Sequence, residues 1–514
     1  MESPFNIVSL FLNAAARYPD KTAIVDRDDI TVTFSELAEG VRQTAAHFEG
    51  KGIRKGDRVL LFVPMGIDLY RNVLALFYIG ATIVFVDQWS KIGRLNTCCR
   101  LADCKAFVGN WKAHLLRPFS KEIRRIPIKL QLSYSARKSG EMYQTSPTDA
   151  ALITFTTGST GVPKAALRTH GFLYEQFKAL ETEIGAKPTD VDMSVLPIIL
   201  LINLAIGSTS VIAEFNPAKP TQMQPRTIVG QLRTHHVTRV VASPYLVKRL
   251  AIHVHERGTA IPTLRNIFTG GAPVFLKEAK LYHRAFPGKD VRILYGSTEA
   301  EPISSIAAAD FAAEAYRFEL RKGLPVGRIF HNARVTIIPI TDESLFDCSP
   351  EAFENMRLPE GTWGEIVVSG PHVLTQYYKD TQALRANKIR INEVCWHRTG
   401  DSGYLQDGRL FLTGRCRTLI PQGDHWLSTF VFENYVQSLR GVEMGTLLSD
   451  GKNLTAFIEL AEDGAAVRDS ILAALSELPM MISKVKFQQL PRDPRHHSKI
   501  EYNKLMADCH RKIV

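Results

Sequence analysis

Between Thr22 and about Gly370 the chain repeats one local pattern: a short, β-branched apolar run stops at Gly, Ser or Asp and leads into an amphipathic stretch. The runs are "TAIV", "RVLLFV", "TIVFVD", "KAFVG", "RVVAS", "NIFTGG" and "VRILYG". Strands of this kind are buried on both faces, and the amphipathic stretches between them supply the covering helices. The pattern predicts an α/β fold of βα units on mostly parallel sheets, with ligand loops at the strand C-termini. A chain of 514 residues is too long for one compact core, so two or more domains are expected.

After Ala333 the pattern changes. "RVTIIPI", "GEIVVSG" and "GYLQDGRLFLTGR" read as short alternating strands, the last of them turning at Asp407-Gly408. Beyond Gly414 the sequence predicts a small α+β unit: a strand pair around "NLTAFIEL", a helix near "VRDSILAALSEL" and a polar tail. The boundary is expected between residues 414 and 415, with a hinge over Gly414 to Thr418.

Composition excludes several classes. The net charge of +11 comes from scattered rather than blocked Lys and Arg, which predicts a solvated basic surface and no nucleic-acid partner. The seven cysteines have neither framework nor zinc spacing, so reduced thiols in a cytoplasmic protein are expected. The N-terminal stretch has no basic n-region and does not read as a signal peptide; Phe5, Val8, Leu12 and Ala15 fit one helical face. "VLPIILLINLAIG", Val195 to Gly207, is too short to span a bilayer and predicts a buried segment.

The chemistry begins in "ITFTTGSTGVPKAALRTH", where an apolar β-prone approach is followed by a helix-like stretch. A phosphate loop needs inward N–H groups, small residues, hydroxyls and a cation. Thr156, Thr157, Gly158, Ser159, Thr160, Gly161 and Lys164 supply them. The spacing is not that of Walker A, because Lys164 follows Val-Pro and precedes Ala.

T-T-G-S-T-G-x-P-K resembles the phosphate loop of the acyl-adenylate-forming (AMP-binding) superfamily, and four further motifs follow in that family's order. They are "GGAP" with Gly271, Ala272 and Pro273; "YGSTEA" with Tyr295, Gly296, Ser297, Thr298 and Glu299; "GEIVVSGPHVLTQYYKD"; and "HRTGDSGYLQDGRLFLTGR" with Asp401 and Arg415. The resemblance implies a large N-terminal adenylation domain, residues 1–414, of mostly parallel α/β sheets plus a distorted β-barrel. A small mobile C-terminal lid, residues 415–514, follows. It further implies ATP as the nucleotide, Mg2+ on Glu299 with Thr298 beside it, and adenine against Tyr295 and the "GGAP" loop. By the same resemblance the ribose sits on Asp401 and Arg415, and Lys499 in "RHHSKIEYNKL" is the mobile catalytic lysine. Joining a carboxylate to the α-phosphorus of ATP brings anion to anion, so such residues act by positioning and charge neutralisation.

Departures narrow the branch. The hinge carries Thr418 where the family usually has an acid, Val431 replaces a proline, and "LPIILLINLAIG" is aliphatic where the family commonly has an aromatic or histidine. The stretches "LFYIGATIVFVDQWSKIGRLNTCCRLADCKAFVGNWKAHLLR", "VVASPYLVKRL", "YGSTEAEPIS" and "PRDPRHHSKI" resemble the olefin-pathway β-lactone synthetases and related fatty-acid ligases, a branch that the altered hinge fits. The expected substrate is an aliphatic carboxylic acid, fatty or β-hydroxy fatty. Two fates stay open: transfer to coenzyme A or a carrier-protein thiol, which the altered hinge disfavours for coenzyme A, and intramolecular lactone closure. A carrier protein or other pathway enzymes are the candidate partners. The competing reading, a nucleotide-binding scaffold without turnover, sits poorly with an intact Lys164, Glu299, Asp401, Arg415 and Lys499.

Overall fold

A computed structural model of the chain describes residues 5–87, 90–157, 163–313, 322–423, 425–493 and 498–511. All seven apolar runs form strands, distributed over two large sheets. In the first sheet, Ile128–Gln131, Ala106–Gly109, Arg58–Phe62, Thr82–Phe85 and Ala150–Thr157 run parallel in that order. Pro163–Thr169 closes its edge antiparallel. In the second, Thr22–Val25, Thr209–Ile212, Val191–Ser194, Arg239–Ala242, Asn266–Gly270 and Asp290–Ser297 are parallel neighbours.

The strands expected in the barrel pair as an antiparallel array that continues the second sheet. Its order is Ala300–Ala307, Leu324–Ile329, Arg409–Arg415, Val394–Gln406, Gly364–Ser369 and Arg334–Ile338. Asp407 and Gly408 turn the hairpin with φ of 52° and 69°, the left-handed pair that a two-residue hairpin loop requires. The last sheet, Val442–Ser449, Leu454–Leu460 and Lys484–Phe487, has its own core with the helices Thr429–Ser438 and Ala465–Ser476.

Two local expectations are corrected. The stretch after the Thr/Ser/Gly loop is a strand, Pro163–Thr169, and the helix begins only at His170. Alanine and leucine there favour helix, but pairing from Thr157↔Pro163 to Ala150↔Thr169 and burial of Ala165 and Ala166 override that weak preference. The first helix, Val8–Arg17, buries Val8, Phe11, Ala14 and Ala15, with Leu12 only partly covered. Its inward face is thus rotated from the expected one toward Phe11, which packs on Phe34.

The aliphatic segment forms the helix Pro197–Ile206. A buried polar knot fastens it to the second sheet. Arg239 Nε reaches Asp192 at 2.7 Å, Nη1 reaches Asp190 at 2.9 Å, and Nη2 donates to Asn203 Oδ1 at 2.8 Å. No helix among the described residues is long and apolar enough to cross a membrane.

Candidate active site

A cleft of about 2560 Å3 is lined by residues of both large sheets and of the C-terminal part. Strand C-termini supply much of its wall: Phe85, Thr154 and Thr156 from the first sheet, Ala242, Thr269 and Ser297 from the second.

Glu299 lies in the turn between Asp290–Ser297 and Ala300–Ala307. That turn is tight because a Cβ on Gly296 would meet the Ala300 carbonyl oxygen at 2.8 Å. The Leu374 N–H donates to the Glu299 carbonyl at 2.7 Å, and Arg168 Nη2 donates to the Thr298 carbonyl at 3.3 Å. The Glu299 carboxylate accepts from Thr156 Oγ1 and from the Tyr377 hydroxyl, each at 3.3 Å. Ser297 Oγ accepts the Glu299 N–H at 3.3 Å.

Across the first hairpin, Lys164 stands opposite Thr156 in register. Its Nζ donates to Asn387 Oδ1 at 2.8 Å. Burial pulls the Lys164 pKa down while Glu299 and Asp380 hold it up. The next residue after Asn387 is Lys388, fully buried, whose ammonium donates to the Leu374 carbonyl. Burial lowers its pKa to about 8, opposed by Cys395 and Glu299. Three polypeptide segments therefore crowd two lysines and two carboxylates, Glu299 and Asp380, into one region of the cleft.

Asp401 faces Arg415 across the second hairpin, and their side chains pair at 2.8 Å. The Tyr295 hydroxyl donates to the other carboxylate oxygen at 2.9 Å. Asp401 raises the Arg415 pKa, and burial beside Asp401 raises that of Tyr295. Each Asp401 oxygen is thereby oriented with acceptor capacity left for a diol. Gly271, Ala272 and Pro273 line the same cleft.

Lys499 enters from the far side. Residues Arg492 and Ile500 bridge antiparallel, and the Lys499 N–H donates to Asp493 Oδ1 at 2.8 Å. Ser498 Oγ accepts the Tyr245 N–H at 3.2 Å, which fastens this segment to the large part of the molecule. Lys248 with Glu443 at 2.9 Å and the Leu276 N–H with Asn434 Oδ1 at 3.0 Å add to the same contact.

The structure thus brings Thr156, Lys164, Tyr295, Gly296, Ser297, Thr298, Glu299, Asp401, Arg415 and Lys499 to one cleft. Thr157 ends its strand, opposite Pro163. Gly158, Ser159, Thr160 and Gly161 lie outside the described residues. Sequence reasoning missed Arg168, Tyr377, Asn387 and Lys388. Tyr377 sits inside a quoted motif, but nothing in "RANKIR" signals that its asparagine and lysine turn inward.

A family model described as AMP-binding enzyme matches residues 11–378. The chain belongs to the AMP-binding enzyme family. It is an AMP-forming ligase by that membership, and its relatives include the branch that the sequence resembles. This AMP-binding enzyme is 29% identical to an olefin beta-lactone synthetase of Stenotrophomonas maltophilia, over 88% of this chain and 86% of that one. It is 28% identical to an olefin beta-lactone synthetase of Xanthomonas campestris, over 97% and 96%. Its fold matches O-succinylbenzoate coenzyme A synthetase of Bacillus subtilis in complex with ATP and magnesium ion, with a TM-score of 0.79 and 20% identity over 98% and 100% of the two chains.

Among the described residues no three His, Cys, Asp or Glu side chains cluster as a metal cage. Glu299, flanked by two lysines, is a hard oxygen donor that suits an ion sharing its coordination with substrate phosphates and water.

Proposed function

We propose that this AMP-binding enzyme adenylates an aliphatic β-hydroxy acid and then closes it to a β-lactone. The observation that carries the reading is the composition of this cleft. Its polar part holds Lys164, Glu299, Asp401, Arg415 and Lys499, while Val73, Phe77, Ile198 and Leu201 line its apolar part. An aliphatic chain buried there gains roughly 0.8 kcal/mol for each methylene removed from water.

In the first step a carboxylate oxygen of the acid bonds to the α-phosphorus of ATP, and the bond to pyrophosphate breaks. Asp401 and Arg415 hold the ribose, with Tyr295 fixing the Asp401 carboxylate and packing against the base beside Gly271, Ala272 and Pro273. Thr156, Thr157 and Lys164, with the loop between them, hold the leaving phosphates. Glu299 would hold Mg2+, which when bound supplies charge neutralisation between the phosphates. Lys499 bridges the substrate carboxylate and the α-phosphate as negative charge gathers there.

In the second step the β-hydroxyl oxygen bonds to the acyl carbon, its proton passes to water, and the acyl–oxygen bond to AMP breaks with its electron pair leaving on AMP. No external thiol is consumed. Thr418 supports this fate: its hydroxyl donates to the Arg415 carbonyl at 3.1 Å and lies 3.3 Å from Thr429 Oγ1, so an uncharged contact occupies the hinge position. We place the domain boundary at Gly414, whose φ of +129° admits few other residues.

The test is pyrophosphate release over a panel of fatty, β-hydroxy fatty and aryl acids, with and without coenzyme A, and mass analysis of the acyl product. Release with β-hydroxy acids alone, giving a product one water lighter than the acid, is the expected result. A requirement for coenzyme A, or equal use of aryl acids, refutes it.

A further inference from the structure

One surface, away from the residues assigned above, is built against the usual rule for helical segments. Residues 111–120 wind as a short helix continued by turns, with Leu115 N–H on the Lys112 carbonyl, Arg117 on His114 and Ser120 on Leu116. The inward face is complete: Ala113 and Ser120 are buried, and Leu116 packs on the first sheet's core with Ile123 and Ile126. The segment also exposes large apolar side chains. Trp111, Leu115 and Phe119 are 61%, 58% and 73% exposed. Three of the ten exposed large apolar side chains among the described residues thus fall in nine consecutive positions. Such clustering marks an interaction site rather than scattered surface carbon.

The charge around this ridge is one-sided. Lys112, Arg117, Lys121, Arg124 and Arg125 are all exposed, and the sole acid between residues 110 and 129 is Glu122. Glu122 is already engaged by Arg125 at 3.3 Å and Arg100 at 3.9 Å. Lys112 Nζ sits 5.5 Å from the Trp111 ring centroid, so cation and aromatic share one edge.

We propose that residues 111–125 dock this protein on anionic phospholipid surfaces. Trp111, Leu115 and Phe119 enter the boundary between headgroups and acyl chains, while the surrounding cations meet lipid phosphate. Charge complementarity selects this occupant: exposed apolar side chains interspersed with exposed cations match an anionic lipid surface. The inference stands apart from the reaction assigned to the cleft, since none of these residues lines it.

The experiment is co-sedimentation of the full chain with phosphatidylcholine vesicles, or with vesicles of phosphatidylcholine and phosphatidylglycerol at three to one. Two variants accompany it, W111S/L115S/F119S and K112Q/R117Q/K121Q, each checked for unaltered thermal unfolding and unaltered pyrophosphate release. Wild type is expected to pellet with the anionic vesicles at low salt and to be released by high salt. Losing three cations should weaken binding roughly hundredfold, at about fivefold each, and the serine variant should lose binding at any salt. Wild type remaining in the supernatant overturns the proposal, as do variants that pellet like wild type. It is also overturned if the serine substitutions instead turn a wild-type oligomer into a monomer in ultracentrifugation, which would make the ridge a contact between copies.

Discussion

Glu433 offers a stability test with a sign and a size. It lies on the helix Thr429–Ser438, 4% exposed, and accepts from Thr446 Oγ1 at 2.8 Å and from the Tyr502 hydroxyl. Burial raises its pKa from 4.5 to about 7, against the pull of both hydrogen bonds. A carboxyl raised in the folded state contributes stability that is fully present below the unfolded value and is lost as pH climbs through the folded one. The gap between the two values corresponds to roughly 3 kcal/mol. Glu433→Gln keeps an oxygen acceptor for both donors and cannot ionise. Urea unfolding, followed from about pH 4.5 to pH 8, should therefore show wild type losing roughly 3 kcal/mol relative to the variant across that window. Parallel pH profiles would refute the reasoning, because the Glu433 carboxyl would then be solvated in the fold or ionised at no cost.

Two further substitutions probe the scaffold and the nucleotide end. Arg239→Met strands Asp192, which is fully buried, and should cost about 3–5 kcal/mol in urea unfolding, largely regained in a double variant with Asp192→Asn; a loss below about 1 kcal/mol contradicts the assigned knot. Tyr295→Phe keeps the ring but frees Asp401 of its hydroxyl donor, and is expected to raise the KM for ATP roughly tenfold with kcat little changed. An unchanged KM would remove Asp401 orientation from the account.

The strands were legible because their burial on both faces is written into contiguous apolar residues, as in "RVLLFV" and "TIVFVD". The Asp407-Gly408 turn was legible for a related reason, since few residue pairs take positive φ twice. The site was legible where a motif supplies backbone and side chain together, as at Tyr295 to Glu299 and at Asp401. What stayed hidden was decided by packing between distant segments. "KAALRT" became a strand because Ala150–Thr157 was there to pair with it. Asn387 meets Lys164 across 223 positions, and Arg168 reaches Thr298 across 130, with no local pattern to announce either contact. Tyr377 is similar: its sequence neighbours explain a strand-like bridge to Ala166, but not a hydroxyl aimed at Glu299.

The central claim is that one cleft joins an acid to AMP through the charge of Lys499. Acid-dependent exchange of labelled pyrophosphate into ATP measures that step alone, before any lactone or thioester forms. Wild type should exchange label only when an aliphatic β-hydroxy acid is present. Lys499→Ala should lose roughly a hundredfold or more of that rate while binding ATP within a few-fold of wild type. Exchange that persists in the variant at the wild-type rate would contradict the assignment of Lys499.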